Sequence, residues 1–300
     1  MNVVALTPST GATLDFDALM RLQHLGRTMA SRTRGPLTSL PGGFVHRKRG
    51  RGLEVNDIRP WQHGDDIRHI DRNATARTSV PHVRTFRDER DRSLLLVADF
   101  RPSMLFGTRR AFRSVAAAEA LALIGWHASA EGGRIGLIAA GPTETASTAP
   151  RRGVRQMATV LGMLTRSHAD AVESRSRADL PLASVLETAA RLVASGGCIV
   201  VATALDEPGD DFDAVVHWLA RRNDLRFAII RDAFEREPPE GLYPFVTAAG
   251  RKGTIRIGRD HRAAADRRCA HLRSFGASAI IVDSDAAPEA LASTLEAIHV

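Results

Sequence analysis

The chain has 300 residues, 44% of them hydrophobic and 25% charged, which supplies a sizeable core and excludes a wholly disordered chain. The net charge is +7, but 34 acidic residues are interspersed with the 41 basic ones, and only Lys48 and Lys252 are lysine. Two cysteines, Cys198 and Cys269, exclude a disulfide framework or a cysteine-built zinc site, and no apolar run approaches the ~20 residues of a membrane helix. No signal-peptide pattern follows Met1, so the expectation is a cytoplasmic chain in a reducing compartment.

Apolar residues at helical spacing (Phe16, Leu19, Met20, Leu22, Leu25, Met29) predict a helix over 16–31, capped by Asp15 or Asp17. Gly35-Pro36 to Pro41-Gly42-Gly43 is a loop. Residues 44–92 are polar and rich in Arg and Asp, with short strand candidates at 53–59 and 82–87 and too few apolar residues for a separate core. Their dense basic run, Arg47-Lys48-Arg49-Gly50-Arg51, reads as a solvated loop, with a patch for an acidic partner as the sharper alternative.

From Ser93 the pattern turns to alternating strands and helices. Strands are expected at 94–98, 134–140, 198–204, 225–231 and 278–282, with extended segments at 243–248 and 254–257. Helices are expected at 111–129, 154–165, 181–194, 211–221, 261–274 and 288–298. Trp61, Trp126 and Trp218 read as packing residues, and Cys198 as a buried strand thiol. The expected fold class is α/β, a mostly parallel sheet with helices on both faces and a small N-terminal polar, β-containing lobe. The expected division is 1–40 (helix and linker), 41–92 (polar lobe packing on the main domain) and 93–300 (main domain).

In an open parallel sheet, ligands bind at the carboxyl ends of the strands. The first strand ends in Asp99-Phe100-Arg101-Pro102-Ser103-Met104. Upstream, Asp57-Ile58-Arg59-Pro60-Trp61 precedes Gly64-Asp65-Asp66-Ile67-Arg68-His69-Ile70-Asp71-Arg72-Asn73-Ala74-Thr75-Ala76-Arg77. These blocks, at this spacing, resemble the von Willebrand factor A-like family of bacterial proteins usually encoded beside MoxR-type AAA+ ATPases, a domain-of-unknown-function family. That family carries Gly-Asp-Asp-x-Arg-x-Ile-Asp-Trp-x-x-x-Ala-Arg and then a strand ending in D-x-S-x-S; here Arg72 stands in place of the Trp.

The resemblance implies a von Willebrand A-like fold, a non-catalytic adaptor or co-chaperone role with a MoxR-type ATPase and a client protein, and a degenerate metal-ion-dependent adhesion site. A complete site of that kind offers Mg²⁺ an Asp and two Ser hydroxyls from one loop, a Thr from a second and an Asp from a third. Here Asp99 and Ser103 remain, Arg101 replaces the first Ser, Ala178 falls at the Thr position, and Ala202-Thr203 stands where Ser-Asp is common. Arg101 then has three readings: it fills the vacated cation position against Asp99, it presents its charge outward to a partner's acid, or it is a mere surface residue. Arg101→Asp is expected to weaken partner binding without unfolding the chain.

No cofactor is expected. If an ion binds, it is Mg²⁺ on Asp99, Ser103 and Asp206, the last belonging to the acidic cluster Asp206, Glu207, Asp210, Asp211 and Asp213. The blander reading of that cluster is capping of the following helix. Arg59, Gly64, Asp65, Asp66, Arg68, Asp71 and Arg77 read as a salt-bridge network or a docking surface. No G-x-S-x-G elbow, Walker A loop or G-x-G-x-x-G fingerprint occurs, so no enzyme is expected. A basic nucleic-acid-binding protein is the alternative from another class, and 5% aromatic content argues against base-stacking platforms. Membrane insertion is not expected.

Overall fold

The computed structural model describes residues 11–33, 54–62, 67–87, 93–176, 178–246, 251–257 and 263–296. They fall in two compact units, residues 36–92 and residues 1–35 with 93–300. In chain order the larger unit opens with α1 (Phe16–Arg21) and α2 (Gln23–Thr33), and the smaller holds β1 (Glu54–Pro60), α3 (Arg72–Thr78) and β2 (His82–Arg87). The larger unit resumes with β3 (Ser93–Asp99), α4 (Arg113–Ala130), β4 (Arg134–Ala140), β5 (Thr145–Arg151), α5 (Val154–Glu173), α6 (Leu182–Leu192) and β6 (Cys198–Thr203). It ends with α7 (Phe212–Ala220), β7 (Asp224–Arg231), α8 (Ala233–Arg236), β8 (Gly241–Val246), β9 (Lys252–Ile257), α9 (Ala264–Ser274), β10 (Ser278–Asp283) and α10 (Pro288–Leu295).

In the smaller unit β1 and β2 pair antiparallel, from Glu54 opposite Arg87 to Pro60 opposite His82. The buried Asp71 starts α3, its Oδ1 accepting the Ala74 N–H at 2.8 Å, which satisfies one of the unpaired donors of a helix start. The basic run 47–51 and Gly64, Asp65 and Asp66 lie outside the described residues, as do the side chains of Arg59 and Arg68. Arg77 is exposed, its Nε donating to Asn73 O at 3.3 Å.

The larger unit is built on a six-stranded sheet of order β10-β7-β6-β3-β4-β5, parallel except for β5. Alternation along β3 explains its two-sided cover. Leu94, Leu96 and Ala98 enter one core with residues of α1, α2, α4, α5 and α10, while Leu95 and Val97 enter a second core with residues of α6, α7 and α9. The expected α/β architecture, mostly parallel with helices on both faces, is therefore present.

The first core is organised around α4, buried throughout from Arg113 to Ala128. Its alanines let neighbouring backbones come close, and α2 does so at Gly26, where an added Cβ would stand 2.5 Å from Trp126 Cβ. Trp126 Nε1 also donates to Leu19 O at 3.1 Å, so α1 and α2 are part of this core.

Several expectations need correction. The N-terminal helix is interrupted at Leu22, while Asp15 caps it as expected, accepting from Ala18 N at 2.8 Å. The strand β5 was not foreseen: Thr-Ala-Ser-Thr-Ala-Pro-Arg is an exposed antiparallel edge with only Pro150 buried, so no apolar alternation marks it. Helix α5 runs on to Glu173 instead of ending at Thr165. Trp126 is buried, but Trp218 is 49% exposed beneath the guanidinium of Arg222, and Trp61 is also exposed.

Candidate functional site

Counted in chain order, the strands of the sheet lie 6-5-4-1-2-3, so the direction of winding reverses between β3 and β6. The loops leaving the carboxyl ends of those two strands diverge, and the crevice between them is where doubly wound sheets place their sites. Asp99 is the last residue of β3 and Thr203 the last of β6.

Arg101 fills this crevice and is 0% exposed. Its Nε donates to Asp99 Oδ1 at 2.9 Å and its Nη2 to Asp99 Oδ2 at 2.8 Å. The remaining donors go to backbone carbonyls: Nη2 to Asp206 O at 2.9 Å, Nη1 to Leu180 O at 2.6 Å and to Glu207 O at 2.9 Å. A guanidinium has five N–H groups, and all five end on oxygen. Asp99 is equally saturated, because Oδ1 also accepts Arg101 N at 3.1 Å and Oδ2 accepts Thr203 Oγ1 at 2.7 Å. Burial acts against the Arg101 charge, but the bond to Asp99 and the fields of Asp99, Asp179 and Asp206 outweigh it and hold its pKa above the ordinary value.

This geometry corrects the reading of Arg101 as outward-facing or as a mere surface residue, since no donor is left for a partner. It also corrects the expected mildness of Arg101→Asp, which would bury two carboxylates against each other. Ser103 lies beside the pair: its backbone N–H goes to Asp179 Oδ1 at 3.0 Å, and its Oγ is buried with no hydrogen-bond partner. Ala178 sits exposed on the neighbouring loop, which meets the pair through the Leu180 carbonyl and Asp179.

The loop after β6 is shaped to meet the guanidinium. Leu205 (φ 62°) and Glu207 (φ 44°) both lie in the left-handed region, unusual for residues with side chains. Asp206 stands between them, and the carbonyls of Asp206 and Glu207 face Arg101. Leu205 N closes the turn on Thr203 Oγ1 at 2.9 Å.

A second layer of charge surrounds this centre. Arg113 reaches Asp206 Oδ2 at 3.1 Å and Glu235 Oε2 at 2.9 Å. Arg268 reaches Asp206 Oδ1 at 2.9 Å and Glu235 Oε1 at 3.4 Å, closing a ring of two arginines and two carboxylates. Burial raises the Asp206 pKa, against the pull of Arg113 and Arg268. The Asp206 oxygens are therefore occupied by guanidinium groups, and among the described residues no three His, Cys, Asp or Glu side chains converge as metal ligands.

In the rest of the acidic cluster, Asp211 at the N-cap and Asp213 in the first turn of α7 complement the helix dipole as expected, but the expected side-chain cap is not made. Asp211 occupies the N-cap of α7, yet its ψ of 3° is not the extended conformation that aims a cap oxygen at the first turn, and its side chain makes no capping bond. Asp213 bonds His271 Nε2 at 2.8 Å. Asp99, Arg101, Ser103 and Thr203 do come together, whereas Arg113, Glu235 and Arg268 were missed. One signal was available: a cation at the first position of α4, with no acid in that turn, opposes the helix dipole and so calls for carboxylates from elsewhere.

At the surface of this crevice stand Phe106 (40% exposed) and Leu180 (38% exposed), with the exposed Glu207 and the half-buried Asp179 beside them. The chemistry on offer is a surface over an internal cation whose five N–H donors are all met.

The profile of the family described as "Protein of unknown function DUF58" matches residues 57–273. Uncharacterized proteins of Mycobacterium bovis and Mycobacterium tuberculosis are 35% identical over 112 residues, which is 37% of this chain and 35% of each relative. The match thus spans about a third of those relatives' length. The crystal structure of the conserved hypothetical protein BatB from Bacteroides thetaiotaomicron superposes with a TM-score of 0.44 at 13% identity, covering 69% of this chain and 98% of that one.

Proposed function

Starting from the premise that the chain belongs to the DUF58 family of proteins of unknown function, we propose that it is a non-catalytic protein-binding module whose partner face is the strand-end surface around Phe106 and Leu180. The observation that carries this reading is the Arg101 guanidinium on Asp99, with all of its donors met inside the protein. A von Willebrand A-like adhesion site that uses a metal needs the ion before it can bind; a side-chain cation is present from folding onward. The three arginines fix the β3 and β6 loops, and a fixed surface loses little conformational entropy on binding.

By the resemblance of the 57–77 and 99–103 blocks, the partner is a MoxR-type AAA+ ATPase, which supplies nucleotide hydrolysis while this chain supplies recognition of a client. The test is calorimetric titration of the full chain with a purified MoxR-type AAA+ ATPase of the same organism, in EDTA. Binding is expected without divalent ions in the cell, and Phe106→Asp and Leu180→Asp are expected to weaken it about tenfold or more at unchanged melting temperature. Variants that bind like the wild type place the partner face elsewhere.

A further inference from the structure

The main sheet ends at β5, which pairs with β4 alone, from Thr145 opposite Ala140 to Arg151 opposite Ile135. The turn between the two strands fixes which peptide groups of β5 face away from the sheet. Gly141 N donates to Glu144 O at 2.9 Å, so the closing pair is a hydrogen-bonded one. Opposed pairs in an antiparallel ladder alternate between bonded and non-bonded. Ala146 and Thr148, opposite Ala139 and Leu137, therefore bond to β4, while the N–H and C=O of Thr145 and Ser147 point outward. The Ala140 carbonyl agrees with this phase: it accepts Phe100 N at 2.8 Å on the β3 side, away from Thr145. Among the described residues no hydrogen bond reaches the outward groups of Thr145 and Ser147. Beyond Thr148 the register shifts, and the carbonyls of Ala149 and Pro150 accept from Gln156 Nε2 at 3.3 Å and Arg134 Nε at 3.4 Å.

Sheet edges with free peptide groups invite another strand and are commonly guarded by charge or cover. This one carries no charged residue from Thr145 to Pro150, and Thr145, Ala146 and Ser147 are exposed. At the opposite edge of the sheet, by contrast, Arg273 Nη2 donates to Ala279 O of β10 at 2.6 Å. A foreign peptide added to an edge is chosen through pockets for its alternate side chains, and the small Thr145, Ala146 and Ser147 offer little to choose by. The same strand from a second copy needs no pocket. Paired antiparallel about Ala146, Thr145 of each copy meets Ser147 of the other, and these two pairs use the outward N–H and C=O groups and leave the Ala149 carbonyl on Gln156. With no charge on the strand, self-pairing opposes no like charges.

We propose that two copies of this chain join edge to edge through β5, antiparallel about a two-fold axis at Ala146, so that one six-stranded sheet continues into the other. The contact is self-complementary and small, which makes the dimer a weak and reversible one.

Sedimentation equilibrium of the full chain from about 5 to about 500 µM tests it, and a monomer–dimer equilibrium within that range is expected. Ala146→Lys sets two like charges face to face, and Ser147→Pro removes an outward N–H while sparing the ladder with β4; each is expected to weaken the dimer about tenfold or more. Should Ser147→Pro fail to fold, Ala146→Lys carries the test alone. The register has its own readout. Cα atoms opposed in a non-bonded pair stand about 4.5 Å apart, within disulfide reach, so Ala146→Cys is expected to cross-link to itself under mild oxidation. Thr148→Cys, which would face Glu144 of the second copy, and the wild type with Cys198 and Cys269 alone are expected to stay uncross-linked. A chain that is monomeric across the range overturns the proposal. So does a dimer that Ala146→Lys leaves as tight as the wild type, or one in which Ala146→Cys does not cross-link.

Discussion

The guanidinium of Arg101 and the carboxylate of Asp99, two residues apart in sequence, form a two-pronged ion pair sealed from solvent at the carboxyl end of the first sheet strand. Each side chain is the other's main counter-charge, so neither is removable alone. Arg101→Ala would strand a buried carboxylate and release the carbonyls of Leu180, Asp206 and Glu207, costing about 3–5 kcal/mol in urea unfolding. In Asp99→Asn/Arg101→Met the charge problem disappears but the carbonyls still lack donors, so the double variant should fall between wild type and Arg101→Ala. An Arg101→Ala loss below ~1 kcal/mol would show that the pair does not organise the site.

The N-terminal helices are held through one close approach. A methyl group on Gly26 would meet Trp126 Cβ at 2.5 Å and His127 N at 3.0 Å, where backbone cannot give way cheaply. Gly26→Ala is therefore expected to destabilise the chain by about 1–3 kcal/mol, despite the better helix propensity of alanine. It should also make α1 and α2 the first segment cut in limited proteolysis. Unchanged stability would mean that α2 shifts freely on α4.

Acid should weaken the fold through His168. This buried ring lies edge-on to Phe100 at 5.6 Å with Nε2 at 3.1 Å from Ser114 Oγ, and burial pushes its pKa down to about 4. The unfolded chain binds the proton near 6.5 and the folded chain refuses it, so the stability it contributes is full above about pH 6.5 and is lost as pH falls toward about 4, roughly 3 kcal/mol in all. Glu119 and Asp206, both raised by burial, give the opposite slope as they take up protons in the folded state. The measurement is therefore the difference between wild type and His168→Leu across pH 4 to 7, which should shrink as pH falls.

The thiols should be inert while the chain is folded. Burial pushes Cys198 up to about 12 and raises Cys269 as well. A chromogenic disulfide reagent at mild alkaline pH is expected to react with neither thiol in the native chain and with both in denaturant. Prompt native reaction would place one of them at an open surface.

Much of this fold could be read in the sequence because its strands are buried on both faces: Leu94 to Ala98 and Cys198 to Thr203 are short apolar runs that nothing else explains. The edge strand β5 could not, because one face and one edge meet solvent and polar residues suffice there. At the site, Asp99, Arg101, Ser103 and Thr203 were legible as strand-end residues. Which way Arg101 points was not, because it depends on carbonyls of Leu180, Asp206 and Glu207, distant along the chain and identical in every residue type. Arg113, Glu235 and Arg268 likewise meet only through the fold.

The central claim is that Arg101 is the site's own cation. Thermal unfolding of the full chain in EDTA, then in excess Mg²⁺ and Mn²⁺, tests it most directly, since an ion that binds only the folded state must raise the melting temperature in proportion to its concentration and affinity. Superimposable curves are expected; a melting temperature that climbs with ion concentration and saturates would contradict a side-chain cation at this site.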